Sequence, residues 1–303
     1  MHTKTLARMA TFAAGAALAA LPATMMQAAP FPPINATATS AHIPGKLVWA
    51  DLFTSQPDQA IQFYTSLFGW TSQNIDQKGR SYTVFSNNGT PVAGLVRRSN
   101  SAKGASPSRW IGYLSVQNIR STVDAVKANG GKVHAPVRKF PDRGTQAIIS
   151  DNEGNPIGLL ESSSGDPADV DTTQGSWNWF EIYVSNPPDA ATFYRTALGY
   201  DVSPETHSDR KSDFILASNG NNRGGIAPIP AEASGATSSW LGVIRVNDID
   251  AAVNKTSSLG GEVLVNPKDA EFGSRFAIIA DPTGGTIGLV QYVEDNDNPA
   301  KSQ

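Results

Sequence analysis

The chain has 303 residues, of which 40% are hydrophobic and 17% charged, and its formal net charge is -3. This length allows more than one hydrophobic core, and the weak negative charge gives no electrostatic reason to expect nucleic acid or an anionic membrane as a partner. The sequence contains no cysteine, which excludes disulfides, thiolate metal sites, a cysteine nucleophile and a lipoprotein anchor.

The first 29 residues have the pattern of an export signal. A short basic stretch precedes an alanine- and leucine-rich run over residues 9–20, and small residues follow. This run is shorter than the roughly 18 residues that span a bilayer, which favours a cleaved signal over an anchor. We therefore expect residues 1–29 to be removed during export to the periplasm or the extracellular space. Residues 30–45 have the composition of a flexible lead-in.

Residues 46–161 alternate strand and helix patterns. A first strand is followed by Pro57 and Asp58, which are helix-start signals, and the helix ends at Gly69. Strands rich in β-branched and aromatic residues and a second helix complete the stretch. The predicted helices are 58–68 and 119–128, and the predicted strands are 47–53, 82–85, 91–96, 110–116, 132–135, 147–150 and 157–160.

The second half repeats the first at a constant offset of 130 residues. The matched pairs include Trp49 with Trp179, Tyr64 with Tyr194, Trp110 with Trp240, and Asp151 with Asp281. A period this long exceeds the roughly 20 to 50 residues of a solenoid repeat and corresponds to a whole domain. We therefore predict an α+β fold with tandem domains at 46–161 and 176–293, a linker at 162–175 and a disordered tail at 294–303.

The repeated motifs resemble those of the vicinal oxygen chelate superfamily, which includes glyoxalase I, bleomycin-resistance proteins and extradiol dioxygenases. The first pair of stretches is DLFTSQPDQAIQFYTSLFGW and EIYVSNPPDAATFYRTALGY, and a late pair is AIISDNEGNPIGLLE and AIIADPTGGTIGLVQ. The resemblance implies two domains, each built from paired β-α-β-β-β modules that form an open, cupped sheet around a cleft.

The resemblance also implies where a metal would lie. Family members hold it with His or Glu on the first strand, on the strand before the second helix and on the last strand. The corresponding positions here are Trp49, Ile111 and Gly158 in the first half and Trp179, Leu241 and Gly288 in the second. None of these side chains can bind a divalent ion, so we expect no metal and no other cofactor.

Strand periodicity predicts the side chains that face each cleft. In the first strand, Val48, Ala50 and Leu52 form an apolar set that packs under the helix, so the alternate residues face the cleft. The predicted cleft side chains are Trp49, Asp51, Phe53, Ile111, Tyr113 and Ser115 in the first half and Trp179, Glu181, Tyr183, Leu241, Val243 and Arg245 in the second.

Asp51 and Glu181 occupy the same position of the repeat, two residues past a tryptophan. A carboxylate beside an indole can have a raised pKa and act as a proton shuttle or a ligand anchor. The alternative is a structural carboxylate that pairs with a nearby cation or accepts from a loop N–H. Arg245 is the candidate cation for Glu181. Both interpretations stay open at this point.

Three further residues are weaker candidates. His134 lies on the strand after the second helix and could line the first cleft. Arg143 and Arg275 precede the penultimate strands and could bind an anionic group at a cleft mouth. Simple surface exposure is the alternative for each of them.

Three functions are compatible with these residues. The first is binding of a small, partly hydrophobic molecule in aromatic-lined clefts without a metal, as in the bleomycin-resistance branch. The second is a glyoxalase-, lyase- or dioxygenase-like enzyme with relocated ligands, or a metal-free acid/base catalyst using Asp51 or Glu181. The third is a structural module whose clefts are filled by side chains. We expect a small-molecule partner, neither nucleic acid nor a membrane span, and we leave a homodimer open.

Export gives a direct prediction. N-terminal sequencing of the protein from its native host is expected to begin between about residue 24 and residue 30, because a cleaved signal ends after the apolar run and its small residues. An intact Met1 in a cytoplasmic fraction would contradict the prediction.

Overall fold

Each half of the chain folds as two consecutive β-α-β-β-β modules. The computed structural model describes residues 31–35, 37–77, 80–99, 107–205, 213–230, 237–270 and 273–292. The predicted segments 1–29 and 294–303 lie outside the described residues. Within the described part of the chain, no helix has the length and apolarity needed to cross a bilayer.

The helices and strands of the first half are β1 Leu47–Thr54, α1 Pro57–Phe68, β2 Thr71–Gln77, β3 Arg80–Asn87, β4 Thr90–Arg97, β5 Arg109–Ser115, α2 Ile119–Ala128, β6 Lys132–Phe140, β7 Gly144–Ser150 and β8 Pro156–Ser162. Those of the second half are β9 Trp177–Val184, α3 Pro187–Leu198, β10 Asp201–Pro204, β11 Phe214–Ser218, β12 Asn221–Pro228, β13 Ser239–Arg245, α4 Ile249–Ser258, β14 Glu262–Ala270, β15 Ser274–Ala280 and β16 Thr286–Tyr292. The predicted α+β fold with two tandem domains is confirmed.

The two modules of each half share one eight-stranded sheet. The strand order is β2-β3-β4-β1-β5-β8-β7-β6 in the first half and β10-β11-β12-β9-β13-β16-β15-β14 in the second. The modules join where β1 pairs antiparallel with β5, and β9 pairs with β13 in the same way. The strands predicted to carry the cleft residues therefore lie at the centre of each sheet.

Proline and glycine delimit the first helix of each half, as the sequence predicts. α1 begins with Pro57 and ends at Gly69, whose φ of 73° lies in the left-handed region. α3 has the same design, with Pro187 at its start and Gly199 at its end. The two helices therefore have the same length of 12 residues.

The helices of the two halves pack between the two sheets. Buried residues of α1, such as Phe63, form one core with Val253 of α4 and Ile279 of β15. Likewise, Val123 of α2 lies in one core with Phe193 of α3. The first module of each half is therefore packed on the last module of the other half, and two cores join the halves.

The interleaving is fixed by a hydrogen bond that occurs twice. The Tyr64 hydroxyl on α1 donates to Asp281 Oδ2 in the turn between β15 and β16, at 2.8 Å. At the equivalent place, the Tyr194 hydroxyl donates to Asp151 Oδ2 at 3.1 Å. The indole N–H of Trp110 donates to the Tyr64 oxygen at 2.8 Å. Burial raises the pKa of the Asp281 carboxyl, and the hydrogen bonds to it oppose the rise.

The lead-in and the linker are bound to each other in the structure. The amide of Thr39 donates to the Ser164 carbonyl at 2.8 Å, and the amide of Asp166 donates to the Ala41 carbonyl at 2.7 Å. Lys46 also forms an ion pair with Asp169 at 2.8 Å. Their composition indicates flexible segments, whereas their described parts run side by side. Composition misses this because the bonding partners are far apart in the sequence.

The cross-half hydrogen bond predicts a stability effect. Replacing Tyr64 with Phe leaves both the buried Asp281 oxygen and the Trp110 N–H without that partner. The free energy of unfolding is expected to fall by about 1–3 kcal/mol, measured by urea denaturation. Tyr292→Phe is the matched control, because the one bond of the Tyr292 hydroxyl among the described residues is an exposed one, accepted from Asn178. This variant is expected to change stability by less than about 0.5 kcal/mol. Equal stability of the two variants would contradict the assignment.

Candidate functional site

Each sheet has one face that packs on the helices and one face that points away from them. We call the second face cup one in the first half and cup two in the second. In β9, Phe180, Ile182 and Val184 are buried against the helices, as periodicity predicts. The alternate side chains of β9, those of Trp179, Glu181 and Tyr183, line cup two.

A β-bulge changes this alternation in β1. The register with β5 shifts between Leu47 and Trp49, so Val48 is the extra residue. Leu47 packs in the helix layer, and Val48 lies with Trp49 on the side of cup one. The prediction that Val48 packs under the helix is therefore wrong, whereas Ala50 and Leu52 do pack there.

Cup one is filled by the chain's own residues 31–35, which we call the plug. Ile34 is buried in one cluster with Trp49 and Tyr113 of the sheet. The ring of Phe31 lies edge-on to Tyr82, with ring centroids 4.5 Å apart, and also contacts Phe140. The plug therefore occupies the place where the sequence predicted the first ligand cleft.

Arg143 is a further residue that contacts the plug in cup one. Its side chain is fully buried, and its guanidinium lies 3.9 Å from the ring centroid of Trp49. Its Nε donates to the Pro32 carbonyl of the plug at 2.6 Å. Arg143 was predicted at the cleft mouth as a candidate for an external anion, but the structure places it inside the cup. In the second half, the position of the repeat that matches Arg143 is Gly273.

Asp51 is buried beneath the plug. It is 4% exposed, and its Oδ1 accepts from the Trp49 indole N–H at 2.8 Å and from the Tyr82 hydroxyl at 2.7 Å. Burial raises the pKa of the Asp51 carboxyl, and the positive charge of Arg143 and the hydrogen bonds oppose that rise. These contacts support the structural interpretation of Asp51 as the partner of a nearby cation.

The other candidates of the first half lie near this cluster or at its margin. Ile111 is buried opposite Asp51 in the strand register. Phe53, near the end of β1, is half-buried. His134 is the extra residue at a register shift in β6, and burial lowers its pKa. Its Nε2 has no hydrogen-bond partner in the described structure.

Cup two, together with first-half residues such as Arg109 and Glu153, lines an open cavity of about 1170 Å³. Trp179, Glu181 and Tyr183 form part of its lining, and all three are half-buried. The apolar side chains around them are those of Phe214, Leu241, Val243, Leu264 and Phe276. Leu264 is the repeat counterpart of His134, so this position of cup two is apolar. The cavity is large enough for a drug-sized molecule.

Glu181 lies among these aromatic side chains. Its Oε2 accepts from the Trp179 indole N–H at 2.9 Å, which repeats the indole–carboxylate pair of cup one. A Cβ at Gly225 on the neighbouring strand would lie 2.6 Å from Oε2, so the glycine leaves room for the carboxylate. The cavity lining contains more acidic than basic side chains: Glu153, Glu181, Glu205, Asp213 and Asp269 against Arg109 and Lys268.

Two arginines predicted at cup two have other positions. Leu241 lies opposite Glu181 in the register, and Arg245 is four residues further along β13, about 13 Å away at the usual rise per residue. Arg245 instead lies over the ring of Tyr292 and donates to the Thr172 carbonyl. Arg275 points to the start of α4, where its Nη2 donates to Asp250 at 3.1 Å. Arg245 is therefore too far along β13 to pair with Glu181. Arg275 alternates with the cup-two residue Phe276 along β15, and neither arginine is in the lining of the cavity.

The residues at the metal positions of the family cannot hold the metal. In both halves these positions carry tryptophan, isoleucine, leucine or glycine, which offer no oxygen or imidazole ligand. Gly158 also packs against the ring of Tyr113, where a Cβ would lie 2.3 Å from it. Within the described residues, no three acidic or histidine side chains are grouped closely enough to bind an ion. The donor set does not fit the family's usual metal.

The tandem architecture and its paired cups define a two-domain member of the vicinal oxygen chelate class. The family model described as Glyoxalase/Bleomycin resistance protein/Dioxygenase superfamily matches residues 46–159 and again residues 176–289. The chain therefore belongs to this superfamily.

Two similar proteins match this chain over most of their own length. "Putative glyoxylase CFP32" of Mycobacterium tuberculosis (strain CDC 1551 / Oshkosh) is 29% identical over 245 residues, covering 80% of this chain and 93% of that protein. "Anthracycline biosynthesis protein DauV" of Streptomyces sp. (strain C5) is 26% identical over 264 residues, covering 83% of this chain and 94% of that protein.

Solved structures confirm the fold alone, because their sequence identities are low. The Mn(II)-bound glyoxalase from Novosphingobium aromaticivorans matches with a TM-score of 0.58 and 17% identity, covering 84% of each chain. The 2,2',3-trihydroxybiphenyl 1,2-dioxygenase from Sphingomonas wittichii strain RW1 matches with a TM-score of 0.56 and 14% identity, covering 84% of this chain and 94% of that one.

Proposed function

We propose that the protein binds a small, partly hydrophobic molecule in cup two, without the metal that the family commonly uses. The observation that carries the proposal is the cavity of about 1170 Å³ with Trp179, Glu181 and Tyr183 in its lining. Ligand sites of this kind combine apolar walls with a few polar groups that fix orientation. Cup one is not part of the proposal, because the plug fills it.

The lining supports a ligand with a flat apolar body and a donor or positive charge. Trp179, Tyr183 and Phe214 offer aromatic surface for the body. Glu181, whose Oε2 accepts from the Trp179 N–H, is an acceptor beside that surface. The excess of carboxylates around the cavity favours a neutral or cationic ligand over an anionic one.

We further propose that the protein acts outside the cytoplasm, since its first residues have the pattern of an export signal. A binding protein in that location would capture its ligand after or before the ligand crosses the cell envelope.

A second candidate function is metal-free acid/base catalysis in the same cavity. It is favoured by Glu181, a carboxylate that lies in the ligand cavity beside an indole, and by the similarity to a protein named as a putative glyoxylase. Asp51 is not a candidate for this role while the plug covers it. The enzyme would be favoured over the binding protein if the protein converted a cup-two ligand and if Glu181→Gln abolished this conversion but not binding of the ligand.

The proposed function is tested with neutral and cationic aromatic compounds that raise the melting temperature of the protein. Trp179→Ala is expected to weaken the Kd of such compounds about 10-fold or more, because it removes a large apolar wall. Glu181→Gln is expected to weaken the binding of cationic compounds and to leave the binding of neutral compounds unchanged. Asp51→Asn is the matched control, because Asp51 lies in cup one. This variant is expected to leave the Kd of the same compounds unchanged.

The same titration tests whether ligand binding requires a metal ion. Dialysis against a chelator is expected to leave the Kd unchanged, and elemental analysis is expected to find less than one equivalent of Zn, Mn, Fe or Ni per chain. Binding that a chelator abolishes and a divalent ion restores would contradict the proposal. So would binding that responds to Asp51→Asn and ignores Trp179→Ala.

A further inference from the structure

The plug makes the contacts that a bound peptide would make in cup one. Phe31 inserts its ring between Tyr82 and Phe140, and Ile34 is buried against the sheet. Between these two anchors, the Pro32 carbonyl accepts from Arg143. Extended segments are recognised by pockets for their side chains and by hydrogen bonds to their main chain, and the plug has both kinds of contact.

The plug is an addition to the fold and not a repeated part of it. The family match begins at residue 46, well after the plug. Shifted by the repeat offset, Phe31 and Ile34 correspond to Glu161 and Ser164, which are polar. Arg143 corresponds to Gly273, and cup two holds a cavity instead. The plug and the arginine that contacts it are therefore both specific to cup one.

Arg143 has hydrogen-bond donors that could bind an extended segment in cup one. Its side chain is fully buried, yet Nη1 and Nη2 have no hydrogen-bond partner among the described residues. Unpaired buried donors are costly, and the charge that Arg143 supplies to Asp51 does not satisfy them. The plug satisfies only Nε, so the guanidinium keeps unused capacity to bind carbonyl groups.

We propose that cup one is a groove for an extended peptide segment and that residues 31–35 occupy it as a tethered, exchangeable ligand. The ligand class is a short proline-containing peptide with an aromatic residue three positions before an aliphatic one. Tethering gives the plug an effective concentration on the order of millimolar, so a free peptide cannot compete until the plug's own anchors are weakened. The proposal is independent of ligand binding in cup two.

The test uses the full chain with Phe31→Ser and Ile34→Ser, which removes both anchors and keeps the cup intact. The probe is a fluorescently labelled synthetic peptide with the sequence of residues 31–37, followed by fluorescence anisotropy. The double variant is expected to bind the probe at least 30-fold more tightly than the parent chain. A probe in which the same two residues are Ser is expected not to bind.

Two added substitutions locate the binding. Arg143→Met in the double variant is expected to weaken binding of the probe at least 10-fold, because the Pro32 carbonyl of the probe loses its donor. Arg275→Met is the matched control, since Arg275 contacts Asp250 outside either cup, and it is expected to leave binding unchanged.

Three outcomes would overturn the proposal. The first is a cooperatively folded double variant that binds the probe no better than the parent does. The second is binding that Arg143→Met and Arg275→Met affect equally. The third is a double variant without a cooperative unfolding transition, which would make the plug part of the core.

Discussion

The hydrogen bond from a helix tyrosine of one half to a turn aspartate of the other is the constraint on which the structure depends. Tyr64 with Asp281, and Tyr194 with Asp151, tie each first module to the last module of the other half. Because both bonds are buried, breaking either one leaves an unpaired polar group in the core between the sheets. The helix layer is therefore fixed, and the opposite face of each sheet remains for ligands.

The two cups share one tryptophan–carboxylate pair but differ in what surrounds it. Both carry a tryptophan whose N–H donates to a carboxylate two residues on. In cup one, the carboxylate is the shorter Asp51, Arg143 is its cation and the plug covers both. In cup two, the longer Glu181 lies in the lining of a cavity. The fold thus contains two copies of one sheet. The chain itself closes the cup of the first sheet, and the cup of the second sheet is suited to a small molecule.

The sequence predicts the features that depend on local patterns. The repeat offset, the helix ends and the cup-two face of β9 all follow from periodicity and from proline and glycine. The polar strand β2 lacks an apolar alternation and is not predicted, and Val48 is misassigned because a β-bulge breaks the period. The plug depends on a contact between Pro32 and Arg143, 111 residues apart. Composition cannot reveal such a contact, although the change from Arg143 to Gly273 in the repeat was a visible sign.

The difference between the cups is tested most directly by hydroxyl-radical footprinting of the native protein, read out by mass spectrometry. Oxidation rates of aromatic side chains report their access to solvent. The account predicts that Trp179 and Tyr183, half-buried in cup two, are oxidised several-fold faster than Trp49 and Tyr113, buried in cup one. Equal rates in the two cups, or faster oxidation of Trp49, would contradict it.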